Sequence, residues 1–220
     1  MEYKLVRAKR KTLSVSIKNG EVTVKAPKSA TLDRIESFVE SKARWIEKKL
    51  ADYNARTSAL APVLDYSHGL YFGEIVPITV DNSVKKVKFE RGEILVPTKY
   101  AGDALKNAVG NFYKRTAKEA LYHMLEMVSV RTDIKYKSFA LTNAAGQWGS
   151  CDGACNIRLN WRLIMLEDNL AEYVIIHELC HTLHHDHSKA FWSEVLKRYP
   201  EVDAAKKKLK FYSEIMRLYR

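Results

Sequence analysis

Along the chain the spacing of hydrophobic and polar positions switches between the period of a strand and that of a helix. Residues 12–17 and 21–26 alternate around Asn19-Gly20, a dipeptide that closes two-residue hairpins. Pro27 ends the second strand. The spacing then turns helical over residues 31–51, with Ile35, Phe38, Val39, Trp45, Ile46 and Leu50 as expected core positions. Residues 52–65 are small and polar and are expected to form a loop. Extended segments follow at 70–80, 84–90 and 93–97, with turns at Asp81-Asn82-Ser83 and Arg91-Gly92. A long helix is predicted from Asp103 to about Val130 through Leu105, Val109, Phe112, Tyr113, Ala117, Leu121, Leu125 and Val128, weakened locally by Gly110. His123 rides on it as an ordinary surface or core histidine.

The last third is read in the same way. Residues 138–142 and 147–151 are extended, Asp152-Gly153 turns, and 156–163 returns as a strand. An apolar helix runs through Leu170, Val174, Ile175, Ile176 and Leu179, with Asp168 as its expected N-cap. Ser188 opens another helix through Phe191, Trp192, Val195 and Leu196. Pro200 breaks it, and a basic amphipathic helix fills 202–218. The pattern predicts an α+β fold, with a β-rich N-terminal region carrying one helix over 1–100 and a second region over 101–220.

Charge modifies this picture at one end. The formal net charge is +11, and residues 1–50 hold thirteen Lys or Arg against six Asp or Glu. Such an excess suits either a nucleic-acid footprint or a solvated basic surface. No aromatic-interleaved basic motif accompanies it, which favours the plain surface. Lys206-Lys207-Lys208 likewise reads as a solvated face. No apolar run reaches membrane-spanning length, and the first residues carry no signal-peptide core. Three cysteines, Cys151, Cys155 and Cys180, make a poor disulfide framework, so a reducing cytoplasm is expected. Cys151 and Cys155 lack a partner pair for structural zinc. Nothing in the residues sets an oligomeric state.

The chemistry lies in His177-Glu178-Leu179-Cys180-His181. Histidines four apart on a helix share one face, so both imidazoles can meet one zinc ion while Glu178 reaches a water there. Burying Glu178 on so apolar a helix would be costly without such a partner. A catalytic zinc takes three protein ligands. His184 would lie roughly 10 Å along the axis from His177 on a straight helix, too far for one ion about 2 Å from each nitrogen. His187, beyond a reversal at His185-Asp186, closes the set more easily. The six-residue step from His181 to His187 also occurs in the metzincin signature, but that signature has a glycine where this chain has His184. Asp186 is a candidate acceptor behind a ligand histidine as well as a turn residue.

An edge strand beside the metal helix would let an extended peptide add as a further strand, and residues 147–161 are the candidate. Trp148, Asn160 and Trp161 are expected to shape that cleft. Arg162, His184, His185 and Tyr199 are candidates for stabilising an oxyanion.

Four stretches together resemble the YgjP-like metallopeptidases, relatives of the WLM and SprT-like zinc proteases. They are Arg10-Lys11-Thr12-Leu13-Ser14 to Val24-Lys25-Ala26-Pro27, then Gln147-Trp148-Gly149-Ser150-Cys151, then residues 156–163. The fourth is 173–181 with His187-Ser188 and Phe191-Trp192. The resemblance implies zinc at His177, His181 and His187, Glu178 as base, and a peptide or protein substrate. It also implies a minimal zincin-like domain, with a helix carrying HExxH and an edge-strand hairpin, behind a small β-rich region. The chain departs from the family at Gln147, where arginine is usual, and at Cys155. Two other readings stand beside the peptidase: a nucleic-acid-associated protein working through the basic N-terminal region, and a zinc-stabilised interaction module without turnover.

Overall fold

Asn19 and Gly20 both take positive φ, 56° and 76°, the backbone that a two-residue hairpin turn requires. They join β2 (Ser14–Lys18) to β3 (Glu21–Pro27) in an antiparallel pair, and β1 (Lys4–Ala8) adds to β3 in parallel. The computed structural model describes residues 2–219. Val22, Val24 and Ala26 of β3 point inward and meet Ile35 and Val39 of α1 (Leu32–Ser41) and Ile46 of α2 (Ala43–Ala59). The predicted hairpin is present.

The helix expected over 31–51 is two helices, separated at Lys42 with φ −107° and ψ 2°. The expected loop over 52–65 is a correction: α2 runs to Ala59 and a short α3 (Ala61–Leu64) follows. Alanines at 51, 55 and 59, with no glycine or proline before Pro62, keep the helix going despite polar neighbours. Trp45 is not core; it is 43% exposed.

The chain forms two compact units, residues 1–61 and 62–220. The strands β4 (His68–Tyr71), β5 (Glu74–Asp81), β6 (Lys88–Glu90) and β7 (Glu93–Pro97) thus belong to the second unit. Their order is β4-β5-β7-β6. The extended run expected over 70–80 is broken at Phe72-Gly73, both with positive φ. Backbone bonds from these two residues to Ile164 and Met165 pin the turn.

The second unit is built around α4 (Gly102–Thr132), which matches the predicted long helix and ends at Asp133 in the left-handed region. Its buried face holds Val109, Phe112, Tyr113, Ala117, Leu121, Leu125 and Val128. It packs against α5 (Asp168–Cys180), the 3-10 segment Trp161–Met165 and β8 (Ser138–Thr142). A three-stranded sheet has β10 (Asn156–Asn160) at its centre, parallel to β8 and antiparallel to β9 (Gly149–Cys151). β9 is therefore an edge strand, and it packs on α5.

α6 (Lys189–Arg198) begins at Ser188, whose hydroxyl accepts from the Phe191 amide as predicted. α7 (Val202–Phe211) ends seven residues before the expected limit, and a 3-10 segment, Tyr212–Arg217, follows. Glu167, not Asp168, is the N-cap of α5, without a side-chain bond to the helix. Its carboxylate instead accepts from Lys208 and Tyr212, tying α7 to the start of the metal helix. The architecture is α+β. Among the described residues, no helix is long and apolar enough to cross a membrane.

Candidate metal centre

Helix α5 stops at Cys180, so His181 caps it and the chain turns away. A straight continuation through His184 does not exist. Asp186 accepts from the Ser188 amide, which makes it a turn residue, and the reversal returns His187 toward the helix. The ligand nitrogens of His177, His181 and His187 lie within 4.8 Å of one another. Nε2 of His177 and Nε2 of His187 are 3.3 Å apart. Two nitrogens each about 2.0–2.1 Å from a tetrahedral ion would be separated by about 3.3–3.4 Å, so this pair fits a shared zinc.

The protonation pattern also suits a ligand set. His181 Nδ1 is 3.1 Å from the carbonyl of His184. A carbonyl only accepts, so Nδ1 carries the hydrogen and Nε2 keeps its lone pair for a metal. Burial, with smaller contributions from His181, His187 and Lys206, pushes His177 down to about 3, so its ring is neutral near pH 7. Phe191, fully buried, stacks on His181 at 4.4 Å between centroids and meets His177 and His187 edge-on. One aromatic ring thus supports all three imidazoles.

Glu178 is 6% exposed, and burial alone pushes its carboxyl up to about 8. With His177 it lines a cleft of about 290 Å³, together with Gln147, Trp148, Gly149, Tyr173 and Lys206. Gly149 on β9 touches Glu178 directly. A Cβ there would lie 2.7 Å from both Cγ and Oε1 of Glu178. Gly149→Ala is therefore expected to displace that carboxyl, lowering roughly a hundredfold any turnover that depends on its position, with metal content unchanged. Steady-state kinetics beside metal analysis check it, and wild-type turnover in the variant would mean that Glu178 need not hold its position.

Of the predicted cleft residues, Trp148 lines the cleft. Asn160, Trp161 and Arg162 are not among its lining residues. All three are at most 1% exposed. Asn160 donates to the carbonyls of Ala144 and Gln147 and accepts from the Arg162 amide, capping the 3-10 segment. That cap ends the strand at Asn160, where extension to 163 was expected. Trp161 donates to Asn143. Arg162 lies 4.0 Å from the Trp161 ring and bonds to Asn143 and to the carbonyl of Leu218. The other oxyanion candidates, His184, His185 and Tyr199, are not among the cleft residues either.

Tyr173, Gly149 and Lys206 were not singled out by role. Tyr173 had a signal: it precedes His177 by four residues and so shares its face. Burial pushes its phenol up to about 12, so it stays a donor. Lys206 was hidden in a run of three lysines. His123, on α4, is exposed and is not part of the histidine cluster.

Three converging imidazoles beside a buried carboxyl and an edge strand define a centre of metallopeptidase type. The chain belongs to the YgjP-like family: the family model described as "YgjP-like, metallopeptidase domain" matches residues 11–212. Comparisons with curated proteins and with solved structures gave no match. Family membership implies a metal ion and peptide or protein substrates.

Proposed function

We propose that the protein is a zinc-dependent peptidase that hydrolyses peptide bonds in extended segments lying along β9. The observation that carries this reading is the meeting of His177, His181 and His187 beside a buried Glu178 that lines the same cleft. Three imidazole nitrogen donors suit zinc. When bound, the ion would acidify a water, polarise the scissile carbonyl and favour the ionised form of Glu178.

The chain's own residues do the rest. Glu178 takes a proton from the attacking water as its oxygen adds to the carbonyl carbon. It then gives that proton to the amide nitrogen as the C–N bond breaks. Gly149 lets the carboxyl stand against β9, and the unpaired edge of β9 offers backbone hydrogen bonds that hold an extended substrate without demanding a particular side chain. Trp148 walls the cleft. Phe191 keeps the three imidazoles in one arrangement.

The test is hydrolysis of a mixed peptide pool by zinc-loaded protein, followed by mass spectrometry. Removing the metal with a chelator is expected to abolish cleavage, and stoichiometric zinc to restore it. Zinc-loaded protein that cuts no peptide in the pool would defeat the proposal.

A further inference from the structure

Among the described residues that line the cleft, Lys206 is the one lysine or arginine. It extends from α7, and its ammonium sits 3.6 Å from the centroid of the Trp192 ring. A cation over an indole face is attracted by the negative potential of the ring. Trp192 in turn packs against His177 and His187, with centroids 5.7 and 5.6 Å away. The ammonium is therefore no more than about 9.3 Å from the centroid of the His177 ring. Lys206 makes no ion pair among the described residues, whereas Lys208, two positions on, pairs with Glu167 at 3.2 Å. Glu201 and Asp203 line the adjoining groove without closing on it. The remaining carboxyl of the cleft, Glu178, is committed to the reaction.

We propose that Lys206 is a specificity residue that recognises a substrate carboxylate close to the cleaved bond. This rests on the peptidase reading and names a substrate class for it. A residue of extended chain spans about 3.3–3.6 Å, so the reach of the ammonium places that carboxylate within about three residues of the scissile carbonyl. Trp192 fixes the charge on one side and leaves the other open. A free chain terminus and an aspartate or glutamate side chain present the same group.

The experiment measures binding on the zinc-loaded, full-length Glu178→Gln variant, in which peptides persist. Acetylated peptides of one sequence are compared in three forms: free C-terminal carboxylate, C-terminal amide, and the amide with one glutamine near the end replaced by glutamate. Calorimetry is expected to show about tenfold tighter binding of a carboxylate form than of the neutral amide. Preference for the free acid assigns a chain end; preference for the glutamate form assigns a side chain. Adding Lys206→Met is expected to bring the favoured peptide down to the affinity of the neutral one, while Lys206→Arg keeps the preference. Melting temperatures check that the exposed substitution leaves the fold intact.

Equal binding of all three forms, a preference that survives Lys206→Met, or no binding of any form would overturn the proposal. Failure of the peptidase reading has a different signature: wild-type protein that shows the Lys206-dependent preference but cuts none of the peptides.

Discussion

Glu178→Gln is expected to lower peptide turnover by about 10²–10⁴-fold while leaving zinc stoichiometry unchanged. Glutamine keeps the shape that fits against Gly149 but cannot take a proton from water or return it to the leaving amine. The carboxyl is not among the three nitrogens that would hold the ion, so metal content separates loss of proton transfer from loss of the site. Equal turnover in variant and wild type would remove Glu178 from the reaction.

The same substitution reports on burial. In the metal-free protein the Glu178 carboxyl is raised from 4.5 to about 8 by burial. A raised folded-state value means that the neutral acid is the favoured form. Its contribution to stability is therefore complete below about 4.5 and is lost as pH rises through 8. Glutamine does not titrate. The variant should thus gain stability relative to wild type between pH 5 and pH 9, by on the order of a few kcal/mol in urea unfolding. His177, held low, is present in both proteins and cancels. A pH-independent difference would show that the carboxyl is well solvated.

The metal motif was legible because it is local. A four-residue step on a helix fixes the relative placement of His177 and His181 whatever the rest of the chain does. His187 was reachable by elimination, since a straight helix carries His184 too far and aspartate at 186 favours a turn. Residues 156–163 were less transparent. Their alternation suited a strand facing a cleft, but the Asn160 side chain captures the Arg162 amide and coils the chain inward, a local bond that apolar spacing does not reveal. Lys206 shows the opposite difficulty. Composition made it one of three interchangeable lysines, and the distinction comes from Trp192, fourteen positions away on another helix. β1 was missed because a parallel partner needs no hairpin signal.

His187→Ala is expected to weaken zinc binding by at least about a hundredfold, and His184→Ala and His185→Ala to leave it near the wild-type value. His187 is the informative proposed ligand to remove because it is exposed, on a loop, and outside the apolar helix. His177 is half-buried against Tyr173 and Phe191, so losing it would disturb packing as well as the metal. The metal-free melting temperature of His187→Ala should consequently stay close to that of wild type. Saturating zinc stabilises a folded protein according to its affinity, and a hundredfold weaker site forfeits about 2.7 kcal/mol of that gain at a fixed zinc concentration. The zinc-induced rise in melting temperature should therefore shrink sharply in His187→Ala alone. If His184→Ala lost the rise and His187→Ala kept it, the third ligand would be the histidine whose carbonyl now holds His181, and the turn would have to rearrange on metal binding. Retention of the rise in all three variants would mean that His177 and His181 bind the ion without help from the loop.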